Sequence, residues 1–240
     1  MTILSPLPTL PPLPDHWFHS FRFPDGTQVT GIKPFEGLMA EADQIFDQPM
    51  EGRRVLDIGA WDGFFSFEAE RRGAAEVLAT DHFCWSGEGW GDKRGFDHAH
   101  ARFGSKVRAL DLDVEAHRPE ELGTFDTVLL LGVLYHVTDP YRTLQAAAAM
   151  SHDHLVIETV TALRHEQQPA MRLFTELELD RDSTNYWAPN ILALREMCRR
   201  FGFTRFAVKP ASLDNLGWRR LAMPFRRKDR YRRAIVHAWR

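Results

Sequence analysis

The sequence predicts an α/β protein built on one doubly wound sheet of seven strands, mostly parallel with an antiparallel terminal strand, preceded by an N-terminal arm and lid. Three observations predict it. From Val55 onward, short apolar runs alternate with segments of helical period, the pattern of a parallel sheet covered on both faces. Two of those runs carry an acid at their C-terminal ends, Asp57 and Asp81, 24 residues apart, as in a βαβ unit whose adjacent strand ends share a ligand. The last two strand-like runs have no helix between them, which suits an antiparallel pair.

The balance of 240 residues, 26% charged and 44% hydrophobic, fits a folded domain rather than a disordered or fibrous chain. Residues 1–50 read as the arm and lid, and residues 51–240 as the domain that carries the sheet. The arm begins with a proline-rich stretch, residues 5–14, that is extended rather than helical. Residues 17–30, with Pro24-Asp25-Gly26 as a turn, read as a short hairpin or lid, and Leu38, Ala42, Ile45 and Phe46 share one face of a helix over 36–47. Strands follow at 54–58, 76–80, 106–110, 125–131, 153–158, 203–208 and 231–238. Helices are placed at 63–72, 94–103, 140–150 and 189–201, the last with Pro189 in its first turn and Gly202 as its stop.

The chemistry concentrates at the strand ends. In Asp57-Ile58-Gly59-Ala60-Trp61-Asp62-Gly63 the glycines are spaced Gly-x-x-x-Gly, unlike the Gly-x-Gly-x-x-Gly that brings backbone amides against a pyrophosphate. A carboxylate in that turn repels a pyrophosphate and attracts the ammonium of an amino-acid moiety, while the glycine bend leaves room for adenosine. S-adenosylmethionine is the cofactor this suggests, and the competing reading is an ordinary strand-to-helix turn. Asp81 is placed to accept hydrogen bonds from ribose hydroxyls, and Ala60, Trp61 and His82 are further candidate cofactor contacts. Asp113 and Val114, after the third strand, sit where an adenine edge would be read, although Asp111 is an equal candidate for that contact.

The fourth strand runs through Leu131-Gly132 into Val133-Leu134-Tyr135-His136, at the crevice where ligands bind in such sheets. A histidine there can take a proton from an acceptor hydroxyl or amine, with Tyr135 positioning; equally, His136 can cap a carbonyl and only shape the loop. Glu158 ends the fifth strand at the same edge. The long connection before the 189–201 helix offers Tyr186, Trp187 and Asn190, whose flat faces and polar tips suit a ring-shaped acceptor.

Read together, Asp57-x-Gly59-x-x-x-Gly63, Asp81, Gly132-Val133-Leu134-Tyr135-His136, Glu158-Thr159 and Asn185-Tyr186-Trp187 resemble a class I S-adenosylmethionine-dependent methyltransferase with a Rossmann-like sheet. More narrowly, the chain is similar to the group related to the tRNA wobble-uridine 5-oxyacetate methyl- and carboxymethyltransferases, over about residues 15–208. In the carboxymethylating enzymes a Trp-Arg-Lys stretch supplies a lysine for the carboxylate of carboxy-S-adenosylmethionine. Here that stretch reads Trp17-Phe18-His19, so His19 stands where the lysine would be, with Lys33 as a nearby substitute. Those enzymes also carry a longer N-terminal helical region. The resemblance therefore implies an ordinary methyl donor and a small-molecule or sugar-like acceptor, with a tRNA acceptor and a non-catalytic binding module as alternatives.

Charge and metal ligands complete the reading. Net charge is −3, yet residues 219–240 hold nine basic residues and one acid, a cluster suited either to solvent or to a phosphate-bearing partner. The two cysteines form no CxxC, and the histidine pairs 98/100 and 152/154 lack the i, i+4 spacing of a helical site, so no metal is expected. Met1-Thr2-Ile3-Leu4-Ser5-Pro6 lacks a signal peptide's basic start and apolar core, and no apolar run spans a bilayer; a cytoplasmic protein with no membrane partner is the expectation.

Overall fold

In chain order, the computed structural model describes residues 10–211 and 231–240. The strands and helices through the first half are β1 (Phe21–Arg22), β2 (Gln28–Val29), α1 (Phe35–Ile45), β3 (Arg54–Ile58), α2 (Phe64–Arg71), β4 (Glu76–Asp81), α3 (Arg94–Phe103) and β5 (Arg108–Asp111). A 3-10 turn at Val114–Ala116 leads to α4 (Pro119–Leu122), β6 (Phe125–Leu131), α5 (Pro140–Met150) and β7 (Ser151–Thr161). The remainder is β8 (Met171–Leu173), β9 (Trp187–Pro189), α6 (Ile191–Arg200), β10 (Arg205–Pro210) and β11 (Arg232–Trp239).

Seven strands form one sheet in the order β10-β11-β7-β6-β3-β4-β5. Strands β7, β6, β3, β4 and β5 run parallel, and β11 is antiparallel to both of its neighbours. The antiparallel strand is last in the chain but second in the sheet, inserted between β10 and β7. The middle of each central strand is apolar on both faces because helices cover both: Val55, Leu56, Val128, Leu129, Leu130, Leu155, Val156 and Ile157 are fully buried. The chain reverses between β6 and β3 in this order, so the carboxyl ends of those strands open a crevice there.

The hairpin predicted over 17–30 is β1 and β2, paired antiparallel around the turn in which Gly26 N–H donates to the Phe23 carbonyl. Its Phe21 and Phe23 join Leu38 and Ile45 of α1 in one apolar cluster with Phe64, Phe67 and Phe96, so the segment before β3 packs directly against the helices beside the crevice. At the other end of the prediction, the helix expected at 189–201 starts later. Pro189 belongs to β9, and Asn190 is the N-cap of α6, its side chain accepting from Ala193 N–H at 2.8 Å. The long connection, read only as a loop, contains the two-stranded ribbon β8–β9. Of the arm at 5–14 and the basic cluster at 219–240, residues 5–9 and 219–230 lie outside the described residues. Among the described residues, no helix is long and apolar enough to cross a membrane.

Candidate active site

Between the end of β3 and the start of α2 the backbone must turn sharply, and two glycines permit it. Gly59 has φ +79, and a Cβ there would lie 2.4 Å from Val133 Cγ2; Gly63 caps α2 at φ +83, with Phe96 2.6 Å from where its Cβ would be. Between them Trp61 adopts φ 47, a left-handed conformation held by two bonds: its N–H donates to Asp81 Oδ2 at 2.9 Å, and its carbonyl accepts from Trp85 Nε1 at 2.8 Å. The turn opens onto a cavity of about 730 Å³. That volume lies within the range that encloses a small ligand or cofactor.

Asp57 lies on the cavity wall although it is 2% exposed, and burial pushes its carboxyl up to about 6. Ser66 Oγ donates to its Oδ2 at 2.6 Å, and no ion pair reaches it among the described residues. A buried carboxylate on a cavity with no counter-charge fits an ammonium group, whose arrival would offset the desolvation. Asp81 accepts from Trp61 N–H on one oxygen and Cys84 N–H on the other, each at 2.9 Å, leaving a lone pair on each oxygen for hydroxyl donors. Burial raises its carboxyl as well.

Most of the predicted site residues converge on this cavity: Gly59, Ala60, Trp61, His82, Asp113, Val114, Leu131 and Gly132 line it together with the two aspartates, and so do His19, Lys33, Tyr135, His136 and Tyr186. Gly63 shapes the turn without lining the cavity. His82 is held to Asp111 at 2.7 Å, whereas Asp113 caps the following 3-10 turn through Glu115 N–H.

Three predicted acceptor contacts stand elsewhere. Asn190 is fully engaged as a cap, accepting from Ala193 and Ala170 N–H and donating to the Gln168 carbonyl, because an asparagine before a helix satisfies orphan amides before it can serve a ligand. Trp187 lies on β9 with its Nε1 donating to the Thr138 carbonyl. Glu158 is 1% exposed and forms a two-bond pair with Arg233, at 2.7 and 2.6 Å.

Arg233 itself was hidden in the basic cluster. It lines the cavity, donates to Tyr135 Oη at 3.0 Å and lies over the Tyr135 ring. The strand register explains the pairing: Arg233 stands opposite Val160 on β7, which makes Glu158 its diagonal neighbour. Asp62 was also overlooked. Its carboxylate accepts from Phe18 N–H at 2.8 Å and His19 N–H at 3.0 Å, tying the N-terminal segment to the β3–α2 turn, and burial raises it to about 6. Beside it, burial holds the His19 imidazole well below its ordinary value, with Lys33 adding to the shift, and Nδ1 has no hydrogen-bond partner.

His136 is lowered to about 4, chiefly by burial, and its Nδ1 meets the carbonyl and hydroxyl of Thr184 at 3.1 and 3.0 Å. Tyr186 N–H donates to the Tyr135 carbonyl at 2.8 Å, so the connection between β8 and β9, which lines the cavity through Asp180, Asp182, Thr184 and Tyr186, is fastened to the loop after β6 by backbone. The histidines that come together are not the sequence pairs: His154 meets His237 at 3.0 Å, with Asp47 in the same group. His237 Nε2 donates to the Gln44 carbonyl, so its Nδ1 accepts from His154, and Asp47 is paired with Lys209 at 2.6 Å. That cluster is at the amino end of β7, away from the crevice.

A family model described as a methyltransferase domain matches residues 33–207. Curated relatives include the tRNA U34 carboxymethyltransferase of Chromohalobacter salexigens, 29% identical over 171 residues that cover 65% of this chain and 45% of that protein. The protein of that name from Helicobacter pylori is 25% identical, covering 67% and 59%. The chain thus spans about half the length of the curated relatives it matches. Among solved structures, the N-terminal domain of EvdMO1, determined with SAH and D-fucose, superposes with a TM-score of 0.67 at 18% identity over 94% of this chain and 91% of that one. Magnesium protoporphyrin IX methyltransferase from Synechocystis, with bound SAM, gives 0.56 at 15% identity over 85% and 78%. At those identities the likeness is one of fold.

Proposed function

The chain belongs to the methyltransferase-domain family, and on that premise we propose that it moves the methyl group of S-adenosylmethionine to an oxygen or nitrogen of a small-molecule or sugar-like acceptor. The observation that carries the reading is the pair of buried carboxylates at adjacent strand ends, Asp57 without a counter-charge and Asp81 with lone pairs to spare, on one cavity. Asp57 holds the cofactor's ammonium and Asp81 its ribose hydroxyls. When bound, the cofactor supplies a methyl group already activated by a sulfonium. The protein's own contribution is then mainly proximity and orientation. His136 accepts the proton that the acceptor loses, and Tyr135, fixed by Arg233, shapes the wall beside it.

The charge of the wall favours a donor of net positive charge, as S-adenosylmethionine is, and a non-anionic acceptor. Six carboxylates line the cavity, Asp57, Asp81, Asp113, Glu115, Asp180 and Asp182, against two permanent cations, Lys33 and Arg233. Each cation already has its own buried carboxylate: Lys33 is 3.4 Å from Glu41, and Arg233 is 2.6 Å from Glu158. A phosphate, or the second carboxylate of a carboxylated donor, would have to compete for them. A second reading, modification of a tRNA wobble uridine with a methyl or carboxymethyl group, is supported by the names of the curated relatives and by the presence of Lys33 and Arg233 on the wall.

Mass spectrometry of the cofactor that co-purifies, followed by transfer of a labelled methyl group into metabolite and tRNA pools, separates the two. The primary reading expects unmodified S-adenosylmethionine or its demethylated product, and label in a small molecule. Label in tRNA, or a carboxylated donor, would establish the second. Binding to tRNA would then weaken steeply with salt.

A further inference from the structure

Asp182, Thr184 and His136 form a chain of hydrogen bonds whose direction is fixed by its chemistry. Asp182 Oδ1 accepts from the Thr184 hydroxyl at 2.7 Å and from Thr184 N–H at 2.8 Å. A hydroxyl has one proton, and a carboxylate can only accept, so Thr184 Oγ1 has no proton left for the imidazole. The other atom facing His136 Nδ1 is the Thr184 carbonyl, which also can only accept. Nδ1 must therefore carry the ring's proton. His136 is neutral near pH 7, since burial lowers it to about 4, so Nε2 is left with a bare lone pair. Among the described residues Nε2 has no hydrogen-bond partner, and His136, Asp182 and Thr184 all line the cavity.

We infer that Asp182 and Thr184 are positioning residues that lock His136 in the Nδ1–H tautomer, so that the acceptor must present an O–H or N–H to Nε2. The inference rests on the methyltransferase reading for its consequence, though not for its geometry. It narrows the acceptor to a protic nucleophile without negative charge, a hydroxyl or an amine, because the surrounding carboxylates repel an ionised one. In the transfer, the acceptor's heteroatom forms a bond to the methyl carbon as the carbon–sulfur bond breaks. The sulfur keeps the bonding pair, and the acceptor's proton passes to Nε2, leaving the imidazolium. That cation is stabilised through Thr184 by Asp182, and the proton leaves to solvent when the product does.

The tautomer can be read without knowing the acceptor. Nitrogen-15 correlation spectra of the histidine side chains, with the His136 signals identified by their loss in His136→Gln, should show a protonated Nδ1 and an unprotonated Nε2 in the full-length protein. An Nε2–H signal would overturn the inference whether or not the protein transfers methyl groups. Asp182→Ala frees the Thr184 hydroxyl to turn toward Nδ1 and should populate the Nε2–H form. Thr184→Ser should retain the wild-type tautomer. With whichever acceptor takes the label in the transfer screen, Asp182→Ala should lower kcat about tenfold with KM for S-adenosylmethionine unchanged. A wild-type tautomer in Asp182→Ala would show that the relay does not set it. A missing methyl transfer with the expected tautomer would reject the function while leaving the relay intact.

Discussion

At the scale of single residues, the site is built from groups held away from their comfortable ionisation. Asp57 and Asp62 are each raised to about 6 by burial, and His136 is lowered to about 4 by the same cause. The carboxylates have more affinity for protons folded than unfolded, so their favourable contribution is complete below about pH 3.8 and is lost as pH rises through 6. Asp57→Asn keeps the shape and a partner for Ser66 while removing the buried charge. In urea unfolding at pH 7.5 the cofactor-free variant should therefore be more stable than wild type, by on the order of 2 kcal/mol. His136 has the opposite sign: its neutral form is favoured in the fold, and that contribution fades as pH falls from about 6.5 toward 4. With His136 as the base, kcat at saturating S-adenosylmethionine should show no acidic limb near pH 6.5 and fall only toward 4. His136→Ala should reduce kcat by roughly 10²–10⁴-fold with cofactor affinity unchanged, as equilibrium dialysis would show.

At the scale of elements, the strand and helix boundaries that the sequence made legible are those with an unambiguous period. Residues 94–103 and 140–150 were placed as helices to the residue, because each has a defined stop or start: Gly104 in the left-handed region for one, Asp139 and Pro140 as cap and first position for the other. The ribbon β8–β9 was not legible, since three-residue strands carry too little alternation to register. Asn190 and Glu158 show what a sequence leaves out about a candidate site residue. Each has the right chemistry at the right strand or loop end, but one is consumed by a helix cap and the other by an arginine 75 residues away. Asn190→Ala should cost about 1 kcal/mol of stability, measured by thermal unfolding, and leave the acceptor KM where it is. Glu158→Ala strands Arg233 in the wall and should destabilise by about 3 kcal/mol or more. Arg233 itself had no local signal, because only the β11–β7 register brings it to the crevice.

At the scale of the whole molecule, the parallel core fixes where a ligand goes, and the segments packed around it decide which ligand. The β3–α2 turn, β4 and β6 meet at the crevice. The N-terminal segment reaches it through Asp62, the 174–187 connection through Tyr186, and the C-terminal strand through Arg233. Three stretches far apart in sequence thereby close one cavity, which explains why the meeting of Asp57, Gly59 and Asp81 was readable from residues 54–81, whereas the part of the wall that Arg233 adds was not. With each wall cation already paired, acceptor turnover should change less than about twofold between 50 and 200 mM salt, whereas a polyanion making several phosphate contacts would lose orders of magnitude over that range.

The central claim is that Asp57 anchors an ammonium-bearing cofactor, and calorimetric titration of S-adenosylmethionine into wild type and Asp57→Asn tests it most directly. At pH 7.5 wild type should bind one equivalent, and the variant should bind about 10–100-fold more weakly, the loss of one charge-assisted contact. Wild-type affinity should itself decline as pH falls below about 6, where the carboxylate takes up a proton. Equal affinity in the two proteins across that range would contradict the account.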